Sequence, residues 1–390
     1  MTIIESGPVA VGATAPTPIG VRVFSRDPEA FGVPIGREEA WRFTPVQLLA
    51  AFFERHPADG AAAGGEPKLT ATAPDGVTVR TTLAGDPVRG AVLTPGDRAS
   101  AVALEAAGEG LAVAVANGAT PSEPVVVEQA GTGLTDVAVA GHLAVEVGRE
   151  ATATVVLQRS GSVRLSANLE VSVGDNAELT LIDVHDWAAD TVHLEAQAFR
   201  LGRDARLRVV TVTMGGALVR VTQSVSYAGP GGDAELFGAL LAGEGQHLEH
   251  RLLVTHDVPN CRSRVLSKAA LHETAHTVWV GDVVIAAGGV GTDTYETNRN
   301  LVLTDGARAD SVPNLEIETG EVAGAGHASA TGRFDDEALF YLQSRGISAP
   351  EARKLVVQGF LAEIVDRIAV PAVRARVTET VAAEIERVLA

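Results

Sequence analysis

One cysteine, Cys261, stands in a chain of 390 residues. A single thiol excludes an internal disulfide framework, and alone it holds neither a four-thiolate cluster nor a structural zinc. Aromatic residues make up only 4% of the chain, while Ala, Val and Gly abound. A core of small and β-branched side chains of this kind suits thin, stacked sheets. Positive charge is also short: 31 Lys and Arg against 49 Asp and Glu leave a formal net charge of −18. That surface repels phosphate backbones and no basic cluster overrides it, so nucleic acid is not an expected partner. No apolar run reaches membrane-spanning length and the first residues carry no basic leader, so a cytoplasmic protein without membrane contact is expected. A GxxxxGK[ST] phosphate loop is missing, and Gly324-Ala325-Gly326 is followed by Ser329 where a dinucleotide fingerprint needs a third glycine. ATP hydrolysis is therefore not expected of this chain, and a partner must supply it if the process needs it.

What is present reads as a folded protein, 46% hydrophobic and 21% charged, too long for one compact core. The first twenty residues, rich in Pro, Gly and Thr, read as a mobile tail. Glu38-Glu39-Ala40-Trp41-Arg42-Phe43 and Gln47-Leu48-Leu49-Ala50-Ala51-Phe52-Phe53 read as a short helical region, and Ala58 to Glu66 as a linker. From Lys68 the texture turns to short β-type runs.

An internal repeat organises those runs. Val147-Gly148-Arg149-Glu150-Ala151 recurs as Val173-Gly174-Asp175-Asn176-Ala177 and Leu201-Gly202-Arg203-Asp204-Ala205, with a looser copy at Gly231-Gly232-Asp233-Ala234. The glycines at 148, 174, 202 and 232 keep a near-constant period with no helical signature between them. Such a period indicates stacked β-units, a solenoid, with a β-sandwich as its rival. Val219, Val221, Val225 and Tyr227 alternate with Arg220, Thr222, Ser224 and Ser226, the pattern of a half-buried strand.

At Asp335 the pattern becomes helical. Asp335-Asp336-Glu337 suits a helix N-terminus and Arg345-Gly346 its end. Ser348-Ala349-Pro350-Glu351 is a capping box with proline in the first turn. Ala352, Leu355, Val356, Phe360, Ile364, Val365 and Ile368 are expected on one face of the next helix, which breaks near Pro371. Val373, Val377, Val381 and Ile385 follow at four-residue spacing. These helices are expected to cover or flank a sheet edge, or to present a docking surface. The chain thus divides into an N-terminal tail and helical region (1–65), a β-core (66–332) and a C-terminal helical domain (333–390).

Several side chains invite a chemical reading. His272-Glu273-Thr274-Ala275-His276 matches HExxH, the motif of a zinc-dependent hydrolase, with Glu296 available as a third ligand. That motif needs a helix, yet Thr277-Val278-Trp279-Val280 is strand-like, and a strand holds the two histidines roughly 13 Å apart. His247, His250 and His256, with Glu249 nearby, are a loose set best read as surface histidines at strand ends. Cys261, before Arg262, is expected to be buried and inert.

Two stretches near the C-terminus carry a resemblance. Thr331-Gly332-Arg333-Phe334-Asp335-Asp336-Glu337 followed by Phe340-Tyr341-Leu342-Gln343-Ser344-Arg345-Gly346-Ile347 resembles the signature of the SufB/SufD family of iron–sulfur cluster assembly proteins. Pro313-Asn314-Leu315-Glu316-Ile317 with Gly326-His327-Ala328, and Arg37-Glu38-Glu39-Ala40-Trp41-Arg42-Phe43-Thr44, are similar to two further elements of that family. The short chain and its single cysteine favour the SufD branch over the SufB branch.

The resemblance implies a mainly β fold, a right-handed parallel β-helix (solenoid) core flanked by N-terminal and C-terminal helical regions. It implies a non-catalytic scaffold that pairs with a SufB-like subunit and docks a SufC-like ABC-type ATPase, with a homodimer possible in isolation. Clusters are then built at the SufB–SufD interface. His327 best matches the family's histidine ligand for iron or the cluster, and imidazole is an acceptable iron ligand. Leu339, Phe340, Tyr341, Arg345, Leu355 and Phe360 are the expected contacts for the ATPase. No cofactor is expected to be held stably by this chain alone; iron or a cluster is transient, and FAD belongs to the whole complex.

Overall fold

In a computed structural model, residues 22–55, 67–133, 135–334 and 336–389 are described. The expected tail and the linker from Ala58 to Glu66 lie outside the described residues. The strands, in chain order, are β1 (Lys68–Thr72), β2 (Val77–Thr82), β3 (Gly110–Val115), β4 (Val125–Ala130), β5 (Val139–Val147) and β6 (Thr152–Gly161). Then come β7 (Arg164–Val173), β8 (Glu178–Trp187), β9 (Val192–Leu201), β10 (Arg206–Gly215), β11 (Leu218–Tyr227) and β12 (Asp233–Ala242). The last six are β13 (His247–His256), β14 (Arg262–Leu271), β15 (His276–Ile285), β16 (Asp293–Val302), β17 (Arg308–Ile317) and β18 (Gly324–Arg333). The helices are α1 (Ala50–Phe53), α2 (Arg98–Ala106), α3 (Asp336–Ser344), α4 (Ala349–Val365) and α5 (Pro371–Leu389).

The repeated turn sets this architecture. Glu150, Asn176 and Asp204 take positive φ of 57, 56 and 54°, and Asn260 one of 59°. Asn and Asp tolerate the left-handed region better than most residues. Gly231 and Gly291, at 80 and 74°, hold the same place in their coils. Each such N–H donates to the next coil: Asn176 N to Arg203 O at 2.8 Å, Asp204 N to Pro230 O at 3.0 Å, Asn260 N to Val290 O at 2.8 Å. The looser fourth copy is out of step with its assigned spacing. Ala228, whose N–H donates to Leu201 O, takes the place of the repeated glycine, and Gly232 takes that of the alanine.

From β3 onward successive strands alternate between two sheets of nine, in the orders β1-β4-β6-β8-β10-β12-β14-β16-β18 and β17-β15-β13-β11-β9-β7-β5-β3-β2. Neighbours run parallel, except that β1 on β4 and β2 on β3 are antiparallel. This is a parallel β-solenoid closed at its first coils by two reversed strands. Leu157 and Leu181 from one sheet meet Leu169, Val171 and Phe199 from the other in the shared interior.

Both outer faces are also covered, as parallel sheets require. Ile182, Val184, Val210, Val212 and Phe237 lie beneath α4 and α5, against Val357, Leu361, Ile364, Val377 and Val381. On the other side, Trp41, Leu49, Phe52 and Phe53 pack on Val192, Leu194 and Leu218. Arg220, expected on a solvated face, is instead buried, its guanidinium 3.8 Å from the centre of the Trp41 ring.

Four local expectations are corrected. Residues 22–55 form two single 3-10 turns and the four-residue α1, because Trp41 and Phe52 dock on the sheet without needing a regular helix. The Ala-rich α2, capped by Asp97, interrupts the β-core. The buried stripe of α4 runs through Ala352, Val357, Leu361, Ile364 and Val365, with Ile368 buried just past its end, so Val356 and Phe360 sit one residue off it and Leu355 is exposed. α4 and α5 lie on a sheet face and not over an edge, α3 packs on α4, and among the described residues β17 and β18 are left as open edge strands. The Ser348 cap on Glu351 N, the start of α5 at Pro371 and the buried Val373, Val377, Val381 and Ile385 all follow the sequence reading.

Candidate functional site at the open end of the solenoid

The interior of the central coils mixes Leu and Val with buried polar groups such as Arg159, Asp183, Glu195 and Gln197. At the last coil β16 turns Glu296, Asn298 and Asn300 inward, all buried. Their partners in register on β18 are His327, Ser329 and Thr331. Parallel register puts paired residues on the same face of the sheet. His327 therefore follows Glu296 on the inner face and is exposed, with no further coil over it among the described residues.

A hydrogen-bonded set ties this end together. Asn300 Nδ2 donates to Ser311 Oγ at 2.9 Å, Thr331 Oγ1 at 3.0 Å and Asn298 Oδ1 at 3.1 Å. Asn298 Oδ1 also accepts from Ser311 Oγ at 2.7 Å and Ser329 Oγ at 3.2 Å. Three strands from both sheets are thus joined by polar groups where an apolar layer would leave greasy surface exposed.

Glu296 is the exception within this set. Only 1% exposed, its carboxyl oxygens have no hydrogen-bond partner, and burial pushes it up to about 8. Gly281 makes the space: a Cβ there would stand 2.8 Å from Glu296 Oε2 and 2.5 Å from the Trp279 ring. Among the described residues no further strand follows β18 in its sheet. Tyr295 covers Gly326 from outside, and Ile317 closes β17 at 45% exposure.

The remaining site residues expected from sequence fall elsewhere. Phe340 (73% exposed) and Tyr341 on α3 and Leu355 on α4 are exposed apolar side chains, with Arg345 5.0 Å over the Tyr341 ring. The side chain of Leu339 lies outside the described residues. Phe360 is half-buried against the sheet, beneath Lys268, which donates to its carbonyl at 2.8 Å.

The HExxH stretch is a strand–turn–strand junction. Glu273 sits in the turn at φ 52°, and His276 opens β15. His272, His276 and Glu296 do not converge: His272 faces Glu273 at 3.6 Å, His276 faces Asp310 at 2.7 Å, and Glu296 is inside the coil. The helix that a zinc-hydrolase motif needs is not formed here. His247, His250 and His256, expected at the surface, are all buried; desolvation holds His250 and His256 low, to about 3 and about 4, bonded to Thr213 at 2.8 Å and Ser263 at 3.0 Å. Cys261 is 1% exposed with its thiol raised by burial, the inert state expected.

Composition and motifs miss the internal polar groups. Asp183, His185 and Glu195 bring candidate ligand atoms within 4.8 Å of one another inside the central coils. Arg159 already fills that cluster, paired with Asp183 and with Glu195 at 2.6 Å, so its charge is compensated without an ion. The signal that finds such groups is the coil period. Residues one period apart, such as Glu296 and His327 or His247 and His276, become neighbours on adjacent strands.

Fold and site together define the class: a two-sheet parallel β-solenoid whose last coil is polar and open. Residues 129–360 match the family profile described as SUF system FeS cluster assembly, SufBD core domain. An iron–sulfur cluster assembly SufBD family protein of Mycobacterium bovis is 51% identical over 370 residues, spanning 93% of this chain and 92% of that protein. The iron–sulfur cluster assembly protein SufD of Escherichia coli is 27% identical over 263 residues, 66% of this chain and 62% of its own. A second SufBD family protein of Mycobacterium bovis is 26% identical over 211 residues, 54% of this chain and 25% of that protein. The chain belongs to the SufBD family of iron–sulfur cluster assembly proteins.

Proposed function

We propose that the chain is the non-catalytic scaffold subunit of a cytoplasmic SUF complex, pairing end-on through β17 and β18 with a second, SufB-like member of its family. One observation carries this reading: two ten-residue edge strands stand open, over a polar interior, at the end where His327 emerges. Unpaired edges of that length invite another chain and are normally blunted or covered. Two SufBD family proteins of Mycobacterium bovis match this chain, one at 51% and one at 26% identity, consistent with a pair of unlike subunits. Among the described residues no helix is long and apolar enough to cross a membrane.

Iron, or the growing cluster, is the cargo of this interface. His327 supplies an imidazole to it, and the partner supplies thiolate, since Cys261 is buried away from it. The exposed Phe340, Tyr341 and Leu355 on α3 and α4 dock a SufC-like ABC-type ATPase. Because α4 and α5 are fixed on the sheet that ends at β18, movement of docked ATPase subunits pulls on the solenoid end and opens the interface.

Co-expression with the host's SufB-like and SufC-like proteins, followed by light scattering, tests the assembly. A complex of all three that loses the ATPase when the chain is cut after Thr331 supports it. A monomer or homodimer that ignores both partners contradicts it.

A further inference from the structure

His247 opens β13 and His276 opens β15, in register one coil apart. On the outer face of the second sheet their Nδ1 atoms lie 3.2 Å apart. The other nitrogen of each ring is already engaged. His276 Nε2 is 2.7 Å from Asp310 Oδ2, and His247 Nε2 is 3.2 Å from Glu249 Oε2. Both carboxylates are held by cations. Arg308 Nε lies 2.7 Å from the same Asp310 oxygen, and Glu249 meets Arg251 at 3.0 Å, Arg220 at 3.3 Å and the Thr44 hydroxyl at 2.7 Å.

An ionised carboxylate only accepts hydrogen bonds, so each Nε2 must carry the ring's proton. Two Nδ1 lone pairs then face each other with no proton between them. That contact is repulsive unless a cation joins them.

The geometry points to a divalent transition-metal site formed by His247 Nδ1 and His276 Nδ1, with water completing the coordination and Glu249 and Asp310 fixing the two rings from behind. A tetrahedral ion bound at 2.0–2.1 Å to two imidazoles sets their nitrogens about 3.3 Å apart, close to the spacing here. A carboxylate behind each ligating imidazole is the usual support for such a site. Imidazole pairs suit Zn2+, Co2+ and Ni2+. The His276 side chain is 23% exposed and that of Asp310 20%, against 8% for His247, so an ion reaches the pair from the His276 side. The ligand pair owes nothing to the HExxH spacing: His276 serves with the histidine one coil before it, not with His272. Nor does it depend on the role given to His327.

Titrating the tag-free, EDTA-treated full chain with Co2+, followed by visible absorption and calorimetry, tests the site. One equivalent with ligand-field bands is expected. His276→Ala and His247→Ala should each weaken binding at least tenfold, Asp310→Asn should weaken it roughly 10–100-fold, and His327→Ala should leave it unchanged. Asp310→Asn, on a half-exposed edge strand, keeps the test decisive if His247→Ala fails to fold. No uptake of Co2+ would leave a shared proton as the bridging cation and overturn the proposal. Uptake that survives His276→Ala, or that is lost in His327→Ala, overturns it equally, and neither result bears on the proposed assembly.

Discussion

Replacing Glu296 by glutamine should make the isolated chain more stable at neutral pH, although the change touches the candidate site. The carboxyl is 1% exposed and unpartnered, and burial raises it from an ordinary value of 4.5 to about 8. A group raised in the folded state stabilises fully below its unfolded value and loses that contribution as pH rises through the folded one. For Glu296 the window runs from about pH 4.5 to about pH 8. At about 1.4 kcal/mol per pH unit, the loss across the window is on the order of 4–5 kcal/mol, with roughly 3 kcal/mol already gone at pH 7. Glutamine keeps the shape and removes the titration. Urea unfolding of the parent and Glu296→Gln at pH 5, 7 and 8.5 should give curves that nearly coincide at pH 5 and separate progressively above it. Parallel curves, with a constant difference at all three pH values, would refute the buried, unpaired state assigned to this carboxyl.

Three further outcomes test other parts of the structure. Leu361→Ala should cost roughly 2–5 kcal/mol because Leu361 is 1% exposed against the sheet, while Leu355→Ala on the exposed side should stay within about 0.5 kcal/mol; equal losses by denaturant unfolding would reverse the phase of α4. Glu170 is buried, yet its carboxylate accepts from Gly90 N, Val92 N at 2.7 Å, Leu93 N at 2.8 Å and His142, which together hold it below its ordinary value. Its contribution is therefore present above pH 4.5 and lost as pH falls through the lowered value, and Glu170→Ala should cost roughly 3–5 kcal/mol and speed proteolysis around residues 86–97. His327→Ala, at an exposed edge position, should leave the unfolding midpoint unchanged while lowering cluster assembly by the co-expressed complex; unchanged assembly would remove His327 from the account.

The solenoid was legible because its code is local. Each coil needs one left-handed residue and a close approach of turn to turn, so Gly148, Gly174 and Gly202 recur beside Glu150, Asn176 and Asp204. The fourth copy slipped because Gly231 and Gly232 leave the glycine pattern ambiguous, and only the ladder to Leu201 fixes which residue is which. The C-terminal helices were legible from their caps, but their seat was not. Val356 and Phe360 fit an apolar stripe as well as Val357 and Leu361, and the outer face of the sheet decides between them. The N-terminal segment fared worst, since Trp41, Phe52 and Phe53 are held by long-range packing that overrides local helical preference. At the open end, family resemblance led to His327, whereas Glu296 drew notice only as part of a motif that does not assemble. The interior polar set and the facing histidines required knowing the register, which a sequence period suggests and only stacked strands fix.

Hydrogen exchange on β17 and β18 tests the central claim most directly. In the isolated chain, the amides of residues 324–333 that point away from β16 have no strand to pair with and should exchange quickly. Adding the host's SufB-like protein should protect both edge strands and leave the reversed strands β1 and β2 at the far end unchanged. Edge amides that exchange equally fast with and without that partner would contradict end-on pairing, and with it the assignment of this end as the place where clusters are built.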